Sequence, residues 1–238
     1  MISWPVARAT ALEKLRSPGV LAVGFCLVAA AFFGGSGPRQ AFSGPALVFL
    51  GMLTLFLGAG ILSDELDSGH AQLVLLRPLT RAAWVGGRLA GAGGALGAIV
   101  SAAWVCAAAG ALLRGAAEPW VPSLAILPLA MLWAFGWLSV LAAVGAVLPG
   151  WTNVAGAALA VVAWGMLRGG LPVLLRRPEL ADVLATVGKY LGPQDPLALA
   201  TRPREGLGPA LYDLCWIFGS WLVTVLLFNR RELARRRP

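Results

Sequence analysis

The sequence predicts an all-α integral membrane protein, and three observations carry that prediction. Hydrophobic residues make up 58% of the 238, charged residues only 13%, and the mean hydropathy is +0.77. A soluble chain is roughly 45–50% apolar and about 25% charged. Uncharged runs of 22, 24 and 25 residues separate Arg16 from Arg39, Arg39 from Asp64 and Arg88 from Arg114, each enough for the roughly 20 residues of a membrane helix. The runs lack dyad alternation and far exceed the ~10 residues of a barrel strand. Disorder, a collagen-like fibre and a disulfide-stapled secreted domain are excluded by the same composition.

The elements follow in order, as one transmembrane domain over 1–238. Residues 1–17 form an elbow helix lying in the membrane interface. Ile2, Val6, Ala9, Leu12 and Leu15 recur at spacings of three and four, with Trp4 as an interfacial anchor; a frayed tail is the alternative. The first span covers 18–33. Ala29-Ala30-Ala31 would suit a signal-peptide cleavage site, but the 17-residue leader containing Glu13 favours a retained span. The second span covers 45–62 and the third 87–113. The 49 uncharged residues between Glu118 and Arg168 are right for two helices. Pro149-Gly150-Trp151-Thr152-Asn153 divides them into spans at 122–148 and 153–167. A sixth span covers 208–228 and includes Asp213 near one end.

Six spans place both termini on one side. That side holds Arg8, Lys14, Arg16, Arg77, Arg81, Arg88, Arg230, Arg231, Arg235, Arg236 and Arg237, which is 11 of the 19 basic residues. The short loops opposite hold only Arg39 and Arg114. The positive-inside bias makes the termini cytoplasmic. The net charge of +8 is then accounted for by topology and anionic headgroups, with no need of nucleic acid. The loop 168–209 is extracytoplasmic. Within it Leu180, Val183, Leu184, Val187 and Leu191 repeat at helical spacing between Pro178-Glu179 and Gly192-Pro193. This predicts an amphipathic helix on the outer surface, resting on lipid or on an extracytoplasmic partner.

Little chemistry resides in the spans. The first five have no ionisable residue between their ends, and Asp213 reads as an interfacial carboxylate reached by water. Cys26, Cys106 and Cys215 sit in apolar surroundings at spacings that fit no metal template, and His70 is the one histidine. No nucleophile–base or metal constellation is visible: no catalytic, cofactor or metal residues are assigned. Trp133 and Trp137 share a helix face and read as packing or lipid-facing residues. Gly87-x-x-x-Gly91, Gly93-x-x-x-Gly97 and Gly165-x-x-x-Gly169 permit close helix approach.

The informative stretch is 63–81, between the second and third spans. Asp64, Glu65 and Asp67 crowd the membrane exit, and Gly69 and His70 follow. A short apolar helix with Leu73, Leu75, Leu76 and Leu79 comes next. Pro78 then disfavours helix at Arg77, and Thr80 caps the following helix ahead of Arg81. The geometry is a short helix across the cytoplasmic face, whose apolar side wants a protein partner or lipid.

This pattern, acid-x-x-x-Gly-x-x-x-x-Leu-Leu-x-x-Pro-x-x-Arg followed by Gly-Lys/Arg-Leu, resembles the signature of ABC-2 type permeases, the membrane subunits of ABC exporters. The matching residues are Glu65, Gly69, Leu75, Leu76, Pro78 and Arg81, then Gly87-Arg88-Leu89. A terminal Phe-x-Arg-Arg-x-Leu is matched by Phe228, Arg230, Arg231 and Leu233. The departures are His70, where the family usually has threonine, and Arg88, where it often has lysine.

The resemblance implies an ABC-2 exporter-like fold in a bacterial cytoplasmic (inner) membrane. It makes 63–81 a coupling segment docked on a separate ABC ATPase subunit, and the transporter a pair of permeases (two copies, or one and a paralogue) with two ATPases. Asp64, Glu65, Asp67, Gly69 and His70 then belong to the exit turn and Leu73, Leu75 and Leu76 to the docking surface. Arg77, Pro78 and Arg81 shape the return, the arginines meeting acidic ATPase residues or lipid phosphates. ATP and magnesium belong to the partner. Independently, the chain has no Gly-x-x-x-x-Gly-Lys-Ser/Thr loop, and its only lysines are Lys14 and Lys189. Cargo of a lipid, peptide or drug-like kind, or a conformational signal, is the expectation. A non-transporting membrane scaffold or assembly factor is the alternative.

Overall fold

Every regular element among the described residues of the computed structural model is a helix. The described residues are 2–62, 80–116, 119–148, 151–177, 179–188, 190–194, 197 and 202–235. In chain order the helices are α1 (Trp4–Arg16), α2 (Pro18–Phe33), α3 (Pro38–Phe42), α4 (Pro45–Gly58), α5 (Arg81–Leu113), α6 (Trp120–Gly145), α7 (Thr152–Leu174), α8 (Glu179–Gly188) and α9 (Pro203–Arg235). Proline stands in the first turn of α1, α2, α3 and α4, where its missing N–H costs nothing and its fixed φ starts the helix.

Helices match all six hydrophobic runs, but four are long and apolar enough to cross a membrane: α5, α6, α7 and α9. A fifth is reached if α1 and α2, bent by 73° at Ser17, count as one span. Helix α4 is apolar but only 14 residues long, about 21 Å against a hydrocarbon core of about 30 Å. The chain has the make-up of a multi-pass membrane protein.

Several edges differ from the sequence reading, each for a local reason. Helix α4 stops at Gly58 rather than at 62, because Gly60 takes φ +62°, a left-handed turn that glycine enters without strain. Helix α5 starts at Arg81 rather than at 87, since Thr80 caps it: the Ala83 N–H donates to Thr80 Oγ1 at 3.3 Å. Arg168 does not end α7, which continues to Leu174; a long cation near a helix end can reach sideways to polar surroundings. The final helix begins at Pro203, so the loop expected over 168–209 shrinks to 175–202.

The core lies among α2, α4, α5 and α6, with Leu27, Leu50, Leu53, Leu57, Leu96 and Leu138 fully buried. Helix α1 packs along α5, α9 along α6, and α8 on α7. Between membrane helices lipid is as apolar as leucine, so close van der Waals fit decides association. The glycines of α5 provide it. A methyl group at Gly91 would run into the Ala7 carbonyl oxygen and lie 2.7 Å from Thr10 Cβ; one at Gly87 would lie 2.9 Å from the Ser3 carbonyl oxygen. Gly93 receives the Phe135 ring in the same way, 2.5 Å from such a methyl. Gly165 and Gly169 meet nothing within 4 Å, so among the described residues that third glycine pair packs no neighbouring helix.

The side of α1 turned to the bundle carries Ala7, Thr10 and Lys14, while Ile2 and Leu12 of the apolar stripe, and Trp4, stay exposed. Gly87 and Gly91 let this side approach closely, Val6 packing against Gly87. One expectation about a polar residue is corrected. Asp213 is not water-reached but fully buried, its Oδ1 accepting the Gln194 N–H at 2.7 Å. It ties the stretch after α8 onto α9. Helix α8 is present, but none of its residues is buried, and Val183 and Val187 are exposed.

Gly91→Val should detach α1 and lower the free energy of unfolding in detergent by about 1–3 kcal/mol, as for other overpacked sites. Gly94→Ala, on the same helix with nothing within 4 Å, should gain about 0.5–1 kcal/mol; equal effects would refute the groove. Asp213→Leu should speed hydrogen exchange of the Gln194 amide, whereas Asp213→Asn, which keeps an acceptor oxygen, should not.

Candidate functional site

Ten residues of the site expected from sequence lie outside the described residues: Asp64, Glu65, Asp67, Gly69, His70, Leu73, Leu75, Leu76, Arg77 and Pro78. Arg81 is described, half-buried at the first position of α5. What the structure places is the frame on either side of that segment.

Upstream, α4 ends in the turn 59–62, and its last carbonyl groups have no partner within the helix. Lys14 Nζ donates to the Ala59 carbonyl at 2.8 Å, and Arg88 Nε donates to the Ile61 carbonyl at 3.1 Å. Two cations thus sit on the negative end of the α4 dipole. Arg88 Nη1 also donates to Thr10 Oγ1 at 3.1 Å and to Glu13 Oε2 at 2.8 Å. Thr10 can accept because its own hydroxyl proton goes to the Val6 carbonyl, at 2.9 Å. One guanidinium therefore joins α1, α5 and the end of α4.

The electrostatics are uneven. The Arg88 side chain is 3% exposed, that of Glu13 54%. Water screens the carboxylate, so the ion pair contributes modestly. The buried charge-assisted bonds to Ile61 and Thr10 carry more of the fixation.

A third side chain reaches the same helix end. Asn153, in the first turn of α7 and fully buried, donates through Nδ2 to the carbonyls of Gly58 at 3.0 Å and Leu141 at 3.3 Å. Gly145 makes room for it, since a methyl there would lie 3.1 Å from Asn153 Nδ2.

Downstream, the Thr80 cap opens α5, and the Ser3 N–H donates to the Ala83 carbonyl at 3.1 Å. Trp84 stacks on Phe228 with ring centroids 5.3 Å apart and planes at 28°, both rings buried. The first turns of α5 are therefore held by the start of α1 and the far end of α9. Phe228 belongs to the terminal Phe-x-Arg-Arg-x-Leu pattern, and this contact is what the phenylalanine does.

From the sequence, Lys14 counted only as a side-setting charge, Arg88 as that and as part of the Gly87-Arg88-Leu89 match, and Asn153 as part of the break between two spans. The burial of Arg88 was within reach. With Thr80 as the cap, Arg88 stands eight residues into α5, two turns in, on the side of the Gly87–Gly91 groove. The reach of Lys14 to Ala59 depends on the tilt of α1, which no spacing encodes. Chemically, the arrangement is a clamp that fixes backbone; it holds no reactive pair. No protein-family model matches this chain, and no curated protein matches it either.

Arg88→Met should lower the unfolding midpoint by about 1–3 kcal/mol, since it leaves the Ile61 carbonyl short of its donor. Glu13→Gln should cost under about 1 kcal/mol, as befits a half-exposed ion pair. A larger loss in Glu13→Gln than in Arg88→Met, by thermal melts in one detergent, would show that the ion pair and not the carbonyl clamp dominates.

Proposed function

We propose that this chain is the membrane permease subunit of an ATP-driven transporter of the ABC-2 type. It would work as a pair of permeases with a separate ATPase subunit that binds ATP and magnesium. In this reading α2, α4, α5, α6, α7 and α9 are six spans in a bacterial cytoplasmic membrane with both termini inside. Helix α4 reaches across with the help of the turn 59–62, and 63–81 is the coupling segment that docks on the ATPase.

The observation that carries the reading is the firm framing of that segment. A docking element passes motion into the membrane helices only where both of its ends are fixed to them. Before it, Lys14 and Arg88 clamp the carbonyls of Ala59 and Ile61; after it, the Thr80 cap and the Trp84–Phe228 stack hold α5. A push on 63–79 then reaches α1, α4, α5 and α9 together, as the motion of a closing ATPase dimer requires.

A hydrophobic cargo, whether lipid, peptide or drug-like, suits the rest of the chain. Trp133 and Trp137 line a groove of about 330 Å³ with Thr54, Leu141, Ala157 and Val161, between α4, α6 and α7. Helix α7 forms its outer wall and has only 6% of its apolar window buried within the chain. A wall held so lightly can open toward the bilayer.

The deciding experiment is a pull-down of the gently solubilised chain from its native membrane, with wild type set against Leu75→Asp combined with Leu76→Asp. Co-recovery of an ATPase subunit with the wild type, lost in the folded double variant, is the expected result. Absence of any ATPase from the wild type would turn the assignment toward the scaffold reading.

A further inference from the structure

We infer that the cleft between the first turns of α5 and the middle of α9 is a binding site for one acyl chain of an anionic phospholipid. The inference needs only the membrane placement of these helices, and goes beyond the transporter reading. The cleft has a volume of about 280 Å³ and is floored by Gly86 and Leu89 of α5, with Phe218 and Trp221 of α9 and Phe135 of α6 as walls. Ile2, at the start of α1, closes one side.

Three features select the occupant. The first is character. Every residue lining the cleft is aliphatic, aromatic or glycine, a surface that suits a hydrocarbon chain. The second is depth. From Ala82 to Ala90 the α5 wall of the cleft rises about 12 Å, close to one leaflet of a core about 30 Å thick. The third is charge at the rim. Arg81 precedes Ala82 at the start of α5, and exposed Arg230 follows two residues after Phe228, which stacks on Trp84. Helix α9 runs antiparallel to α5 here, Trp221 lying beside Gly86 and Phe228 beside Trp84. Both arginines therefore stand at the same end of the cleft, where a phosphate-bearing headgroup would sit on a chain inserted from that side. Juxtamembrane cations attract anionic lipid by about 1 kcal/mol each.

Phe218, which lines the cleft, is 68% exposed in the chain. Exposed Trp4, beside Ile2 on α1, suits the headgroup level where amphipathic rings settle. The occupied cleft would cement the α1–α5–α9 junction, since the lipid would touch all three.

The full chain, reconstituted in vesicles of mixed phosphatidylglycerol and phosphatidylethanolamine and then released into detergent, provides the test by native mass spectrometry. Wild type should retain one phosphatidylglycerol through delipidation. Ala90→Phe, which fills the cleft, should lower retention by about tenfold, while Leu159→Phe, on the exposed face of α7, should not. Arg230→Gln should weaken the preference for phosphatidylglycerol over phosphatidylethanolamine. As a test independent of any substitution, a phosphatidylglycerol with a photoreactive acyl chain is crosslinked to the unmodified protein, and label on the peptide carrying Phe218 and Trp221 is expected. Equal retention in Ala90→Phe, label spread over all lipid-facing helices, or disulfides between two copies of the Phe218→Cys variant would each overturn the assignment.

Discussion

A helix that ends inside or near a bilayer leaves carbonyl groups that water cannot readily reach, and something in the protein must donate to them. In this chain that constraint is met by cations projecting sideways from neighbouring helices. Lys14 and Arg88 serve the end of α4. At the opposite end of α5, Arg114 donates to the carbonyls of Phe32, at 2.8 Å, and Gly35, closing the end of α2. Helix α5 is thus a post with a guanidinium near each end, each seated on the negative pole of a neighbouring helix. The same two arginines that a topology count treats as markers of side are what hold the hairpins together.

The glycines of α5 follow from this role. To bring guanidinium groups within reach of foreign carbonyls, backbones must approach closely, and side chains on α5 would prevent it. Gly87 and Gly91 admit α1, Gly93 admits the Phe135 ring, and at Gly110 a methyl would strike the Phe32 carbonyl beside which Arg114 bonds. In water each such glycine would weaken the helix by about 1 kcal/mol relative to alanine. Where unsatisfied backbone is costlier still, the helix holds anyway, and the small residues become an asset.

Much of this was legible in the sequence. Charge spacing located the long apolar helices, Thr80 announced the start of α5, and the leucine–valine repeat at 180–191 announced α8 in the stretch after α7. The failures share one cause. A stripe read from spacing says which residues are apolar, and not which face a neighbour can approach, so the packing of Ala7, Thr10 and Lys14 of α1 on the bundle went unforeseen. Asp213 looked solvent-facing because a span starting at 208 puts it near a helix end, whereas α9 starts at Pro203. Its burial depends on Gln194 folding back over it, a contact across 19 residues that no local pattern records. Arg168 and Arg88 looked like span edges because charge was equated with water, whereas each sits within a helix.

The clamp also explains how α7 is attached. That helix buries only Asn153 and Pro172 along its length, and Asn153 bonds the carbonyl of Gly58, one residue before the Ala59 carbonyl that Lys14 holds. The α4 terminus is therefore shared: one set of donors comes from α1 and α5, another from α7. Neither set can shift without straining the other, because a buried carbonyl that loses its donor costs about 1–3 kcal/mol. Displacement of the turn 59–62 must either carry the start of α7 with it or break the Asn153 bonds. A helix with so little side-wall contact pivots more readily than it breaks them. The turn that opens the 63–79 segment is thus also the point on which the most loosely packed long helix of the bundle is hung.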